Sequence, residues 1–249
     1  MGIIRGVTSE LPLLELVLAP LLIDNTKLLI AGSADPGLFA AIGQISGSFS
    51  PAVTVIDKCR APLQLIQEFA EARAVSCRTL HMDILELDGS ERWENILLHY
   101  TMDFVEFSDR RKFFKRLMGS LSPGGKLICI AKTNQRGAPT DEARLEHAFL
   151  ANAKNAIKDS SLKPLLHDNQ FERMLHAYGK AATARRVRMT PAQELKRLLT
   201  SSGFAIAKEY TAQRETIIRE DPDERESMFK GSVEITIIVA VRDASNRPL

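Results

Sequence analysis

The sequence predicts an α/β protein with a mainly parallel sheet covered by helices on both faces. Near-continuous apolar runs alternate with stretches whose apolar residues recur at helical spacing. The first run, Leu28 to Ala31, breaks into a turn, Gly32-Ser33-Ala34-Asp35-Pro36-Gly37, and a helical stretch of small and apolar residues follows. The second run, Val53 to Ile56, ends in an acid, Asp57. Strand, tight turn, helix, strand, acid is the plan of a nucleotide-binding βαβ unit.

Each part of that unit has a physical job. A glycine turn lets backbone N–H groups approach a ligand, because no Cβ stands in the way. The helix that follows points its N-terminus at the same place. A carboxylate at the tip of the second strand can accept hydrogen bonds from a ribose diol. Gly37 and Asp57 are 20 positions apart, close to the usual turn-to-acid spacing. If the acid serves only a ligand, its removal should weaken binding and leave the ligand-free protein's melting temperature nearly unchanged.

The remaining elements read in order. Residues 9–23 predict a short helix with Ser9 as N-cap and leucines on its apolar side. Pro62 to Ala72 predicts a helix through Leu63, Leu65, Ile66, Phe69 and Ala70, with the proline near its start. Cys77 to Met82 and Trp93 to His99 read as the third and fourth strands. Asp109 to Leu121 reads as a helix stopped by Ser122-Pro123-Gly124-Gly125, and Lys126 to Ala131 as the fifth strand.

The pattern changes after Ala131. A polar loop is expected at 135–140, a helix at 141–158 with a stripe of Leu145, Phe149, Ala153 and Ile157, and a short helix through Phe171, Met174 and Tyr178 ended by Gly179. The span 180–197 is basic and includes Arg185, Arg186 and Arg188; it reads as a solvated face or as an anion-recognition surface. Thr190-Pro191-Ala192-Gln193 is a capping box opening a helix through Leu199. Phe204 to Tyr210 and Val233 to Val241 read as strands joined by an acidic, polar turn at 215–226, and with no helix between them they argue for an antiparallel pair.

Composition excludes several classes. The chain has 249 residues, 45% hydrophobic and 26% charged, enough for a core of one large α/β domain. A net charge of +2 gives no reason to expect nucleic acid or an anionic membrane as partner. Leu11 to Ile23 is apolar but too short to span a bilayer and is interrupted by Pro12, Glu15 and Pro20. Three scattered cysteines without C-x-x-C spacing fit a reducing cytoplasm. The five histidines show no metal-ligand spacing, so no metal is expected.

At this point the chain resembles the class I S-adenosylmethionine (SAM) dependent methyltransferases, from Lys27 to Ala131 and again from Thr190 to Val241. LLIAGSADPGL resembles the family's glycine-rich first motif, and VTVIDKC its second strand with a ribose-binding acid. LHMDIL resembles the adenine-reading segment, ENILLHYTMDFV and LSPGGKLICIA the fourth and fifth strands, and RMTPAQELKRLLTSSGF the helix leading to the last two strands. The resemblance implies a three-layer Rossmann-like fold with a seven-stranded, mainly parallel sheet, its last strand antiparallel and its third strand at one edge. It also implies one domain over 1–249, with an N-terminal helical cap at 1–26 and a helical insertion or lid at 135–189.

The same resemblance implies site residues. Gly32, Ser33, Asp35 and Gly37 would surround the methionine part of SAM. Asp57 would bind the ribose, Lys58 would flank the adenine, and Asp83 and Ile84 would read and cover it. His99 and Tyr100 would face the sulfonium and the acceptor, with His99 the best-placed base among His99, Tyr100, Asp103, His167 and His176. From their place on the helical insertion, and not from the resemblance, Tyr178 and His176 are expected to orient the acceptor. Two departures stand out. The position two before the first glycine, usually acidic, is Ile30, and GSADPG replaces G-x-G-x-G with Ala34 at the second glycine.

The function implied is transfer of a methyl group from SAM to a small-molecule acceptor by in-line displacement, leaving S-adenosylhomocysteine. The alternatives are an NAD-type oxidoreductase, which lacks its G-x-G-x-x-G here, and a catalytically inactive scaffold of the same fold. The helical insertion could instead form a homodimer interface.

Overall fold

The computed structural model describes residues 7–133, 142–158, 163–187, 190–219 and 228–242. A 3₁₀ turn, Val7–Glu10, leads into helix α1 (Leu11–Leu18). Then come β1 (Lys27–Ala31), α2 (Gly37–Ser46), β2 (Ala52–Asp57), α3 (Arg60–Ala72), β3 (Arg78–His81), β4 (Trp93–His99), α4 (Arg110–Gly119) and β5 (Leu121–Thr133). Helices α5 (Glu142–Lys158), α6 (Asn169–Val187) and α7 (Ala192–Ser201) precede β6 (Phe204–Arg219) and β7 (Met228–Arg242).

The sheet has seven strands in the order β3-β2-β1-β4-β5-β7-β6. Strands β3, β2, β1, β4 and β5 pair in parallel, and β7 and β6 are antiparallel. Helices cover both faces, and β3 is an edge strand, as the sequence predicts. Leu28, Leu29, Ile30 and Ala31 of β1 are fully buried, which is why that strand reads as an unbroken apolar run. The core continues through Ile96 and Leu98 of β4, Leu127 and Cys129 of β5, and Phe113, Phe114 and Leu117 of α4, with Leu195 and Leu199 of α7 closing over them.

The chain divides into two compact units. One spans Gly6–Ala131, Ala192–Thr211 and Thr236–Leu249 and contains β1 to β4 and α1 to α4; the other spans Lys132–Pro191 and Ala212–Ile235 and contains α5 and α6. Within the second unit, α5 packs on α6. Ala153 and Ile157 are buried, and the Phe149 and Tyr178 rings lie 5.6 Å apart. Lys154 Nζ donates to Glu172 Oε1 at 2.7 Å and holds that carboxyl below its usual range.

Four local readings need correction. The N-cap position of α1 is Glu10 and not Ser9, and the Glu10 side chain makes no cap bond. Gly179 does not end a helix, because α6 runs on to Val187. A Cβ at Gly179 would lie 2.9 Å from Phe149 Cδ1, so this glycine serves the close approach of α5 to α6 and not a C-cap. Ser122–Gly125 lies inside β5: Trp93 pairs with Leu121 and Asn95 with Lys126, so the four residues bow out of register, with Gly124 at φ +73°. Strand β6 extends to Arg219, past Tyr210, because Thr216-Ile217-Ile218 is β-branched and prefers a pleat to a turn. The loop at 135–140 and residues 220–226 of the expected turn lie outside the described residues, as do Arg188 and the side chains of Leu145, Arg185 and Arg186.

Candidate active site

The C-terminal ends of four neighbouring strands, β3, β2, β1 and β4, carry most of the residues singled out in the sequence. In an open α/β sheet this is the edge that receives ligands. Gly32 follows β1 directly. Its φ is +84°, and its N–H donates to Ile56 O at 2.8 Å, tying the turn to β2. A Cβ there would meet Thr101 Cγ2 at 2.6 Å, so the turn and the segment after β4 touch at a place where only hydrogen fits. Thr101 Oγ1 in turn donates to Ala31 O at 2.7 Å.

Asp57 is the hinge of the site. Ser33 N donates to its Oδ2 at 3.0 Å, and Cys59 N donates to its Oδ1 at 2.7 Å. The acid therefore fastens the glycine turn to the end of β2. This corrects the expectation that it serves a ligand alone. Each carboxylate oxygen has a second lone pair, so ribose hydroxyls can still be accepted. Asp35 acts locally: its Oδ1 accepts from Gly37 N at 2.7 Å, and Ser33 Oγ donates to Asp35 O at 2.9 Å. This fastens Asp35 to the first residue of α2, a structural duty besides the ligand role expected of it.

Asp83 sits at the head of a short 3₁₀ turn, Ile84–Glu86, with Oδ1 accepting from Leu85 N at 2.9 Å. Ile84 is buried beside it. Lys58 is exposed, and its carbonyl contacts His81 Nε2 at 3.1 Å. The set of a glycine turn, two carboxylates at the ends of neighbouring strands and a buried isoleucine suits a nucleoside, whose diol and exocyclic amine need acceptors and whose base needs an apolar cover.

His99 and Tyr100 close β4. Tyr100 adopts φ 58°, ψ 12°, a left-handed conformation that a bulky residue rarely takes. Its ring lies 4.3 Å from that of His99. The partner the sequence did not disclose is Glu10. His99 Nε2 lies 2.8 Å from Glu10 Oε2, and Tyr100 OH donates to Glu10 Oε1 at 2.7 Å. Glu10 is only 6% exposed. The turn that carries it also reaches α2, since Val7 Cγ1 would be 3.7 Å from a Cβ on Gly37. The only hint in the sequence is an acid directly before Leu11-Pro12, and acids there ordinarily read as helix-start residues.

Tyr178 and His176, expected at the acceptor, lie on α6 in the helical unit. Tyr178 is exposed beside Phe149, and His176 Nδ1 is 4.0 Å from Glu146 Oε1. His167 is exposed and Asp103 is buried. Among the described residues no group of His, Cys, Asp and Glu has the arrangement of a metal site, and no helix is long and apolar enough to cross a membrane. Two concavities lie away from this edge. One of about 560 Å³ is lined by Arg111, Lys112, Lys115 and Arg116 of α4; one of about 730 Å³ runs by Lys27, Glu94 and Ser122 where β1 and β4 begin.

The cysteines give a chemical probe of the site. Cys129 is fully buried, and burial with the nearby Asp103 charge pushes its thiol up to about 12; burial pushes Cys77 up to about 11. Cys59 is exposed, two residues from Asp57. With iodoacetamide near pH 8, the exposed Cys59 is expected to alkylate first and the other two to lag, the fully buried Cys129 most, since only thiolate reacts. Peptide mass spectrometry over time reads this; equal labelling of all three would contradict the burial.

No family model matches the chain, and no curated protein matches it. Solved structures do. A Bacillus halodurans protein proposed to be a methyltransferase superposes with a TM-score of 0.62 at 13% identity, over 95% of this chain and 100% of that one. The N-methyltransferase NodS of Bradyrhizobium japonicum, in complex with S-adenosylhomocysteine, gives 0.56 at 13% over 95% and 86%. Magnesium protoporphyrin IX methyltransferase of Synechocystis, with bound SAM, gives 0.53 at 12% over 95% and 81%.

Proposed function

We propose that this chain, which has the fold of the class I SAM-dependent methyltransferases, transfers a methyl group from SAM to a small-molecule acceptor. The observation that carries the proposal is the linked cradle at the strand ends. Gly32 makes room for Thr101, Asp57 holds Ser33 and Cys59, and Asp83 and Ile84 stand alongside. Gly32, Ser33, Asp35 and Gly37 would hold the methionine end, Asp57 the ribose, and Lys58, Asp83 and Ile84 the adenine. When bound, SAM supplies a methyl group whose bond to sulfur breaks with the electron pair passing to sulfur.

What the protein itself must do is position and dry the acceptor. Holding an acceptor in line can lower a barrier by about 7–11 kcal/mol. His99 and Tyr100 are the polar groups at the end of β4 suited to that task. Similarity of fold to magnesium protoporphyrin IX methyltransferase, named for a small-molecule acceptor, supports a small-molecule acceptor here.

Calorimetry with SAM and S-adenosylhomocysteine tests the reading, with Cys59 alkylation as a local reporter. Both ligands are expected to bind and to slow Cys59 labelling. A chain that binds neither is a scaffold of this fold, and binding of NADH in their place would make it an oxidoreductase.

A further inference from the structure

We infer that Glu10 is a positioning residue that presents His99 Nδ1 as proton acceptor to a hydroxyl-bearing methyl acceptor; the inference rests on the methyl-transfer reading above. A carboxylate only accepts hydrogen bonds, so the 2.8 Å contact from Glu10 Oε2 requires a hydrogen on His99 Nε2. The neutral imidazole then carries its lone pair on Nδ1. Among the described residues Nδ1 makes no hydrogen bond, whereas Nε2 is committed to a buried partner. The second Glu10 oxygen is occupied by Tyr100 OH at 2.7 Å, so the carboxylate is held at both ends. Tyr100 reaches it from a left-handed backbone, and such strain persists where the surroundings require it.

The position matters as much as the tautomer. Thr101, two residues after His99, fills the space over Gly32, and Val7, three residues before Glu10, lies near Gly37. The acid, the imidazole and the glycine turn are thus parts of one contact set at the ends of β1 and β4.

The chemistry selects the acceptor. A thiol near pKa 8.5 supplies its own anion near neutral pH, and a carboxylic acid is already ionised. A phenolic hydroxyl near pKa 10 keeps its proton until attack, so a positioned base is useful there. An ammonium acceptor would want an open carboxylate as counter-ion, and both Glu10 oxygens are engaged. In the step, the hydroxyl oxygen's lone pair forms the new bond to the methyl carbon, and its proton passes to His99 Nδ1 and then to water. The electron pair of the broken bond stays with sulfur, so charge balances.

Two readouts on the full chain test this. Histidine ¹⁵N spectra of the ligand-free protein at pH 8, with the His99 signal identified by its loss in His99→Asn, are expected to show Nε2–H and unprotonated Nδ1. Glu10→Gln should mix the tautomers. With phenol and catechol as acceptors, Glu10→Gln should lower kcat by at least about tenfold with KM little changed, while thiophenol turnover holds. Nδ1–H in the wild-type protein overturns the inference without any Glu10 variant, even if that variant does not fold. SAM binding with no phenol turned over, or an equal loss for thiophenol, overturns the hydroxyl assignment. Absence of SAM binding with the Nε2–H tautomer in place removes the methyl-transfer reading, and the acceptor class with it, while leaving the Glu10–His99 pair.

Discussion

Gly32→Ala is expected to lower the stability of the protein by about 2–4 kcal/mol and to abolish measurable SAM binding. The first part is steric. At φ +84° an alanine is held in a backbone conformation that costs roughly 1–2 kcal/mol. Its methyl would also sit 2.6 Å from Thr101 Cγ2, so Thr101 must move and its hydrogen bond to Ala31 O, about 1 kcal/mol, is lost or bent. Restricting the unfolded chain offsets under about 1 kcal/mol of this. For a chain of this size the melting temperature should fall by roughly 5–15 °C. Thr101→Ser removes the obstructing methyl and should recover part of the loss in the double variant. A Gly32→Ala protein that melts like wild type would mean that the turn and Thr101 are not in contact.

Asp57→Ala is expected to act on both binding and stability. Ser33 N and Cys59 N lose a charged acceptor; the first is partly buried, the second reaches water easily. Hydrogen bonds to a charged group are worth about 1.5–3 kcal/mol each, and partial exposure reduces the loss, so the ligand-free protein should lose about 1–3 kcal/mol. SAM affinity should fall further, by at least about tenfold, because the ribose loses its acceptors and the turn loses its tether. Asp57→Asn keeps one acceptor oxygen and should fall between. Thermal melts and calorimetry on both variants read this. A melting temperature unchanged by Asp57→Ala would show that the two backbone bonds contribute nothing, and unchanged SAM affinity would remove Asp57 from the site.

The fold was legible because its centre is written in long apolar runs. Leu28 to Ala31 and Ile96 to Leu98 are buried on both faces, so nothing polar interrupts them, and the acids that end their neighbours stand out. Glycine proved harder to read. Gly32 and Gly179 look alike in a sequence, yet one permits a left-handed turn and the other lets α6 approach Phe149. Local rules assign both to turns, and only the packing partner separates them. Glu10 was hidden for a related reason. Its partners are His99 and Tyr100, far along the chain, and no periodicity or spacing links an acid in one segment to an imidazole in another. Asp57 was found for its ligand chemistry, while its structural duty depended on where Ser33 N would point.

The separation of 89 positions between Glu10 and His99 also sets an order of events during synthesis. At roughly 5–20 residues per second, a ribosome delivers the acid about 4–18 s before the imidazole that receives it. Through that interval the apolar side of α1, with Leu14, Val17 and Leu18, can already pack on α2, while Glu10 lacks the imidazole and the phenol that meet its carboxylate. Burying the carboxylate before His99 and Tyr100 exist would forgo the hydrogen bonds they give it, and a buried charge short of donors is costly. Burial of Glu10 against His99 and Tyr100 is therefore expected only after β4 has been made, so this corner of the strand ends joins an earlier-made segment to a later one.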